Sequence, residues 1–259
     1  MISRTSKLLM MVCAIGLLGS VWAVPASAQD KDKTEKPTMY TYVAEWDVPR
    51  AQWPDIEKIY VGGKDTMDKL VADGTIVGYG YYITVVHQVD QSTHGSWFQA
   101  MSMANLMKAL AAVKASSAGA PVLSASKHWD LVFETKLYGY HSGTFEGSYL
   151  RVSTWTVKPG MGETVEKFEK QYMVPILDKL LADGAIHGYQ IDDQSIHTEN
   201  PYTFDMAILT NGAEGIDKFY AALDEADKTD GLAVPAFAQS IDYSLHRDYL
   251  ALVPSFTHK

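Results

Sequence analysis

A twelve-residue sequence occurs twice in this chain of 259 residues and constrains its fold more than any other feature. Residues 68–79 read DKLVADGTIVGY and residues 178–189 read DKLLADGAIHGY, with nine of the twelve positions identical. Once this register is set, the sequence on both sides falls into two copies of one unit of roughly a hundred residues. Because each copy alone buries only a marginal core, we expect the two copies to stabilise one another by packing together.

Apolar patterning predicts the same order of elements in both copies: strand, helix, strand, strand, helix, strand. In the first copy the predicted strands are 40–48, 76–88, 96–103 and 128–138, and the helices are 55–73 and 104–116. In the second copy the strands are 149–157, 186–197, 203–210 and 240–253, and the helices are 162–183 and 215–227. Gly62-Gly63 weakens the first helix, and Pro175 should kink or split its counterpart.

This order predicts an α+β fold of two tandem ferredoxin-like βαββαβ units. Each unit forms a four-stranded antiparallel sheet with both helices on one face, so the other face needs a cover. We expect the two sheets to pack face to face as an intrachain pseudo-dimeric α/β barrel. The predicted boundaries are 1–28 for a signal peptide, 29–39 for a disordered tether, 40–140 for repeat 1, 141–148 for a linker and 149–259 for repeat 2.

The first 28 residues have the pattern of a secretory signal peptide. Two basic residues, Arg4 and Lys7, precede an apolar run, and Ala26-Ser27-Ala28 is a small-residue cleavage site. A retained membrane anchor is the alternative, although the apolar run of residues 8–24 is at the short limit for a span. We expect an exported, periplasmic or extracellular protein with no stable membrane insertion after cleavage.

Composition excludes several kinds of chemistry and partner. Cys13 is the only cysteine and lies in the leader, so the mature chain would have no thiol nucleophile, disulfide or cysteine ligand. The net charge is −9, and the mature part contains no run of basic residues. Nucleic acid and anionic membrane surfaces are therefore not expected partners, because phosphate binding needs clustered lysine and arginine.

The order of elements, the helix that ends in Ala-Asp-Gly before Ile-x-Gly-Tyr, and the duplication together resemble the dimeric α/β-barrel superfamily. That superfamily includes antibiotic-biosynthesis-monooxygenase-like domains and the haem-containing chlorite dismutase group. The resemblance covers nearly all of residues 40–253 and does not identify an individual family. It implies a barrel that contains a small-molecule cavity, and it leaves the reaction open because this fold hosts many chemistries.

The first strands of the two copies supply the candidate ligand-binding residues. Alternation places Trp46 on one face of the first strand, and places Arg151 and Trp155 together on the matching face of its counterpart. An arginine on an aromatic sheet face predicts that this face lines the cavity between the sheets, where Arg151 would hold an anionic or carbonyl group. The alternative is ordinary core packing by Trp46 and Trp155, with Arg151 reaching solvent or pairing with a neighbour.

The fourth strands supply a candidate catalytic pair. Their apolar face, with Trp129, Leu131 and Phe133, is predicted to contact the helices. On the opposite face, Glu134 and His246 occupy positions predicted to be equivalent, so they would approach one another across a pseudo-twofold axis. A Glu/His couple can abstract a proton from an activated carbon or a phenol. The alternative is a solvated sheet face.

His87 and His197 form a matched pair, since both lie near the end of a second strand at the offset of the repeat. They are candidates for ligand binding or acid/base chemistry around the pseudo-twofold axis. The alternative is two exposed histidines without a task. The eight histidines show no metal-ligand spacing, so no metal site is predicted.

Four functional readings follow from these residues. The first is an exported small-molecule-binding protein that acts as a cofactor-independent, monooxygenase-like enzyme on a small aromatic or carbonyl substrate. The others are a non-catalytic binding or stress-response module, a haem-binding chlorite-dismutase-like protein, and a duplication that serves stability alone with its cavity filled. Haem is favoured only by the superfamily and by His187, whose counterpart is Val77. Enzyme status and oligomeric state stay open.

Overall fold

The computed structural model describes residues 36–86, 91–117, 120–196 and 202–259. The expected leader and most of the tether lie outside these residues, and so do His87 and His197. The predictions made for those residues therefore stay predictions.

The described residues form eight strands and seven helices. The strands are β1 (Met39–Asp47), β2 (Gly78–Val86), β3 (His94–Ala100), β4 (Lys127–Tyr140), β5 (Gly143–Thr156), β6 (Ile186–Gln194), β7 (Thr203–Thr210) and β8 (Arg247–His258). The helices are α1 (Trp53–Ala72), α2 (Met103–Ser117), α3 (Pro121–Ala125), α4 (Gly162–Phe168), α5 (Val174–Ala182), α6 (Gly212–Thr229) and α7 (Ala233–Ser240). No helix in the described ranges combines the length and the apolar character that crossing a membrane requires.

The eight strands close into one antiparallel barrel in the order β1-β3-β2-β8-β5-β7-β6-β4. Each repeat supplies four neighbouring strands. The two sheets join edge to edge through β2–β8 and β4–β6, so their helix-free faces become the opposite walls of one interior. Closure leaves none of the eight described strands at an open edge of the sheet. The predicted α+β pseudo-dimeric barrel is confirmed. The prediction had the two sheets packing face to face, and the structure also joins their edges by hydrogen bonds between strands.

The repeated motif has the same structural role in each copy. Gly74 and Gly184 follow α1 and α5 with φ angles of +77° and +70°, the left-handed conformation that ends a helix. The tyrosine of the motif then reaches back to its aspartate across that turn. The Tyr79 hydroxyl donates to Asp68 at 2.6 Å, and the Tyr189 hydroxyl donates to Asp178 at 2.6 Å. The motif therefore fixes the angle between each first helix and the strand that follows it.

The first helix of the second repeat is divided by a π-helical turn at Glu169–Met173, shortly before Pro175, so the split that the proline predicted is present. Two boundaries of this repeat differ from the prediction. Strand β5 begins at Gly143, inside the predicted linker. The prediction of a last strand that starts at residue 240 is wrong, because α7 and a 3-10 turn at Tyr243–Leu245 precede β8. The alternation of apolar residues in that segment is too short to distinguish a strand from a helical turn.

The glycine pair in α1 gives a stability prediction. A Cβ atom built on Gly62 meets no atom within 4 Å, and Gly62 has ordinary helical geometry on the exposed side of the helix. Gly62→Ala should therefore raise the free energy of unfolding by about 0.5–1 kcal/mol, because alanine loses less backbone entropy on folding. Urea unfolding measures this, and Gly74→Ala serves as the contrast that should destabilise at its positive φ. An unchanged or lower stability for Gly62→Ala would contradict the prediction.

Candidate functional site

The barrel encloses a cavity of about 710 Å³. All eight strands contribute inward-facing side chains to its wall. From β1, β4 and β5 these are Thr41, Val43, Glu45, Trp129, Leu131, Phe133, Tyr140, Leu150, Val152, Thr154 and Thr156. The interior is thus a cavity of ligand size and not a core filled by its own side chains.

For the first and fourth strands, the face predicted to line the barrel interior points outward, and the opposite face points inward. Trp46, Arg151 and Trp155 do not line the barrel interior but point outward, toward the helices. Trp129 and its alternating neighbours, predicted to face the helices, point inward. Alternation determines which residues share a face but not which face is inside. Aromatic residues occur on both sides of this barrel, so composition could not decide between the two faces.

A second pocket, of about 400 Å³, lies in repeat 1 between the outer face of the sheet and the helices. We call it the repeat-1 pocket. It is bounded by β1, β2 and β3 on one side and by α1, α2 and α3 on the other. Its wall is aromatic and aliphatic, with Tyr42, Trp46, Tyr60, Met67, Tyr79, Tyr81, Phe98, Leu110 and Val113 among its residues. Trp46 therefore does line a cavity, although not the one predicted.

Gly63 of α1 contributes to the open volume of the repeat-1 pocket. Gly63 lines the pocket, and a Cβ atom built on it meets nothing within 4 Å. At the offset of the repeat, Gly62 and Gly63 correspond to Tyr172 and Met173, which are 7% and 3% exposed in the core of repeat 2. The second copy therefore has large buried side chains at the positions where the first copy has glycines.

Further aromatic packing occupies the same layer of repeat 2. Phe237 of α7 lies edge-on to Trp155, with ring centroids 5.2 Å apart, and stacks on Phe168 at 4.2 Å. The guanidinium of Arg151 lies 5.6 Å from the ring centroid of Phe219 and bonds to the Tyr220 hydroxyl at 3.2 Å. The two copies have thus diverged, one toward a pocket and one toward a packed core.

A polar cluster lies at the margin of the repeat-1 pocket, on β1 and β4. The His128 ring stacks on Trp46 with centroids 3.9 Å apart, and its Nε2 atom lies 2.8 Å from the carboxylate of Asp130. The same carboxylate oxygen accepts a hydrogen bond from the hydroxyl of Tyr42. Burial, followed by this hydrogen bond, raises the pKa of Tyr42 above its usual value, so Tyr42 stays a donor at neutral pH.

The cluster is duplicated in repeat 2. His246 stacks on Trp155 with centroids 3.4 Å apart, and its Nε2 atom lies 3.2 Å from Asp248. Arg151 takes the place of Tyr42 and bonds to Asp248 at 3.1 Å. The sequence contained the signal, since His-x-Asp occurs at residues 128–130 and again at residues 246–248. The longer connection before β8 shifts this pair out of the main offset, and the motif was missed for that reason.

The predicted couple of Glu134 and His246 is not formed. The structural counterpart of His246 is His128, and Glu134 lies on β4, which pairs with β1 and β6 and not with β8. Glu134 instead pairs with Lys136 at 3.3 Å. The prediction that they approach one another is wrong, because the two last strands were matched in the wrong register, with Glu134 and not His128 opposite His246.

Three solved structures show the same arrangement of strands and helices. The first is a proposed monooxygenase from Fusobacterium nucleatum, with a TM-score of 0.62 and 7% identity; the match covers 86% of this chain and 94% of that one. The second is an anthrone oxidase-like protein, with a TM-score of 0.52, 12% identity and coverage of 87% and 94%. The third is a proposed chlorite dismutase, with a TM-score of 0.51, 11% identity and coverage of 84% and 95%. The chain has the dimeric α/β-barrel fold. No protein-family model and no curated protein matches the chain, and identities this low establish the fold alone.

Within this dimeric α/β barrel, the described residues contain no group of three His, Asp, Glu or Cys side chains placed to hold a metal ion. His187, the candidate haem residue, stacks on Phe145 with centroids 4.2 Å apart and lines neither the barrel interior nor the repeat-1 pocket. Of the described histidines, only His128 lines either cavity. The chemistry of the repeat-1 pocket therefore centres on His128 and its two partners.

Proposed function

We propose that this chain binds a small planar aromatic molecule in the repeat-1 pocket and removes a proton from it with His128. The observation that carries the proposal is the difference between the copies. Gly63 of α1 lines the repeat-1 pocket without a side chain, whereas its counterpart in repeat 2, Met173, is buried in a packed core. An open pocket of about 400 Å³ lacks the packing contacts that stabilise a filled core. We infer that binding of a ligand supplies these contacts.

The wall of the pocket indicates the ligand class. Aromatic rings dominate it and favour offset-stacked or edge-on contacts with another aromatic ring. Lys114 is the cation among its lining residues, and the other polar groups are hydroxyls and the His128 ring. A largely apolar ligand with one polar group near His128 fits this distribution better than an anion does.

His128 has the environment of a general base. Asp130 holds its Nε2 atom, and stacking on Trp46 fixes the plane of the ring. The Nδ1 atom makes no hydrogen bond to any residue in the described ranges, which leaves it to the ligand. A carboxylate on one ring nitrogen orients the imidazole and stabilises the positive charge that forms when the other nitrogen takes up a proton.

The reaction that fits these groups is oxidation, by dioxygen, of an activated CH₂ group between aromatic rings. His128 takes one proton, and the resulting carbanion forms a bond to dioxygen. Loss of water from the peroxide then converts the CH₂ group into a carbonyl, so one oxygen atom enters the product and the other leaves as water. The likeness in fold to a proposed monooxygenase and an anthrone oxidase-like protein supports this class.

Haem fits the described residues less well. The Nε2 atom of His128 is bonded to Asp130, and its ring face is covered by Trp46, so the imidazole is not positioned as an axial ligand. We expect purified protein to show no absorption band in the Soret region. A non-catalytic binding module remains the second candidate, and it predicts that anthrone is recovered unchanged after long incubation in air.

Blocking the pocket tests the proposal. Gly63→Leu places a side chain into the pocket and should weaken anthrone binding at least about tenfold, because the ligand and the leucine compete for one volume. Gly62→Leu makes the same change one residue earlier, on a glycine that does not line the pocket, and should leave binding unchanged. Fluorescence titration of both variants measures this, and anthrone affinity that survives Gly63→Leu would overturn the site. We further propose, from the leader-like residues 1–28, that the protein acts after export.

A further inference from the structure

The barrel interior is not used by the function proposed above, yet it contains several buried polar groups. Three carboxylates line it, from Glu45 on β1, Asp192 on β6 and Asp205 on β7. Arg247, an exposed residue at the start of β8, is the one cation among its lining residues. Carboxyl groups therefore outnumber cations among the residues that line the barrel interior, and this balance favours a positively charged ligand over an anion.

Glu45 is held in a fixed position. It is 9% exposed, and its carboxylate accepts hydrogen bonds from the Tyr82 hydroxyl at 2.6 Å, the Trp129 indole at 2.6 Å and the Ser92 hydroxyl at 3.1 Å. These donors orient the carboxylate. A preorganised carboxylate of this kind binds an ammonium group without first reordering its own side chain.

Aromatic rings surround the same carboxylate. Tyr82 stacks with Tyr249, with centroids 5.8 Å apart, and lies 6.3 Å from Trp97. All three rings line the cavity together with Trp129. Aromatic faces attract organic cations through their quadrupoles, and they also cover the apolar body of the ligand.

Thr84 adds an unpaired polar group at this end of the barrel. It lies on β2, is 3% exposed and lines the cavity. Its hydroxyl has no hydrogen-bond partner among the described residues. Its backbone amide bonds to Thr93, beside the Ser92 that donates to Glu45, so the hydroxyl and the carboxylate belong to one part of the interior. An unpaired buried hydroxyl costs stability unless a ligand or water satisfies it.

We propose that the barrel interior is a second binding site, for a protonated aralkyl amine. The ammonium group donates hydrogen bonds to Glu45 and Thr84, and the aromatic body of the ligand packs against Tyr82, Trp97 and Tyr249. A carboxylate gives charge-assisted hydrogen bonds to the N–H groups, and the rings give cation–π contact. The carboxylates of the interior reject carboxylate and phosphate ligands.

The experiment compares 2-phenylethylamine with 2-phenylethanol by isothermal titration calorimetry at pH 7.5. The two probes have similar size, and only the amine carries a positive charge. We expect the wild-type chain to bind the amine at least about tenfold more tightly than the alcohol. Equal affinities, or preference for the alcohol, would overturn the proposal.

Two variants locate the binding. Glu45→Gln should weaken amine binding by about tenfold or more, and Thr84→Val by about twofold to tenfold, the range for a charged and a neutral hydrogen bond respectively. Thr84→Val removes an unpaired hydroxyl without changing the shape of the side chain, so it should fold even if Glu45→Gln does not. Asp217→Asn, an equal charge change at an exposed position on α6, should leave affinity unchanged. Unaltered affinity in Thr84→Val would contradict the proposal.

Gly63→Leu separates this site from the repeat-1 pocket, because it blocks only that pocket. Amine binding should persist in this variant, whereas anthrone binding is lost. Loss of amine binding in Gly63→Leu would place the amine in the repeat-1 pocket and overturn the inference. Failure of anthrone to bind any variant would remove the proposed function and leave the amine site standing.

Discussion

We expect His128→Asn to lower kcat for the conversion of anthrone to anthraquinone by about 10²–10⁴-fold, the usual contribution of a general base. The dissociation constant for anthrone should change by less than about threefold, since most of the contact area comes from the aromatic walls. Asparagine is uncharged and similar in reach, but it has no atom that accepts a proton near neutral pH. Product formation and oxygen consumption, followed together, measure kcat and check that one dioxygen is used per anthraquinone.

The duplicated cluster supplies a matched control for this experiment. His246 also stacks on a tryptophan and also lies beside an aspartate, but its repeat is filled by Tyr172, Met173 and Phe237. His246→Asn should therefore leave kcat unchanged, even where it costs some stability. Equal losses in the two variants would show that the histidines act through stability, and an active His128→Asn would remove His128 from the mechanism.

The duplication made the fold predictable from the sequence. Two copies of one motif fixed a common order of elements, and the patterning around them was sufficient to assign strands and helices. The motif also carries its own geometry, since each copy ends a helix at a glycine and ties a tyrosine to an aspartate. Local signals of this kind can be recognised in the sequence without knowledge of the tertiary structure.

The faces of the strands were not predictable in the same way. When a strand has large side chains on both faces, its sequence does not show whether Trp46 or Val43 points inward. An error of one residue in this assignment moves every side chain of the strand to the opposite face. On β1 the inner face carries Thr41 and Glu45, whereas on β4 it carries Trp129, Leu131 and Phe133. Because the inner face is polar on one strand and apolar on its neighbour, polarity could not identify the inner side.

The repeat-1 pocket was hidden for a related reason. Gly62-Gly63 reads in sequence as a weak point in a helix, and only the packed structure shows that the missing side chains would have filled a cavity. The sequence did contain a signal: at this position the first copy has Gly-Gly and the second copy has Tyr-Met. Such a contrast indicates a difference in volume, although it does not say which element lies opposite.

The second large effect that we expect concerns Asp192, which is 2% exposed inside the barrel. Its carboxylate accepts hydrogen bonds from Thr135 and Gln190, and burial raises its pKa from 3.8 to about 7. The hydrogen bonds lower the pKa and the neighbouring Asp193 raises it, but burial dominates. The other titratable groups facing this interior are Glu45, Tyr82, Tyr140, Asp205, Arg247 and Tyr249.

The sign of the pH effect follows from the two protonation states. Between about pH 4 and pH 7 the folded chain keeps a proton on Asp192 that the unfolded chain releases, so the free energy of unfolding falls as the pH rises through this window. A shift of about three pKa units corresponds to a loss of about 4 kcal/mol, which is complete above pH 7. Below pH 4 both states are protonated and the effect vanishes.

Asp192→Asn should remove this loss, because an amide stays neutral at every pH and can turn its oxygen toward Gln190 and its nitrogen toward Thr135. The difference in unfolding free energy between the variant and the wild type should therefore shift in favour of the variant by about 4 kcal/mol between pH 4 and pH 8. Urea unfolding across that range measures it. Asp242→Asn provides a contrast of opposite sign, since hydrogen bonds from Ser244 lower the pKa of this exposed carboxylate and its contribution is lost as the pH falls. If the difference in unfolding free energy between Asp192→Asn and the wild type does not change with pH, Asp192 is ionised in the folded barrel across this range. Its negative charge would then add to the attraction for an ammonium ion.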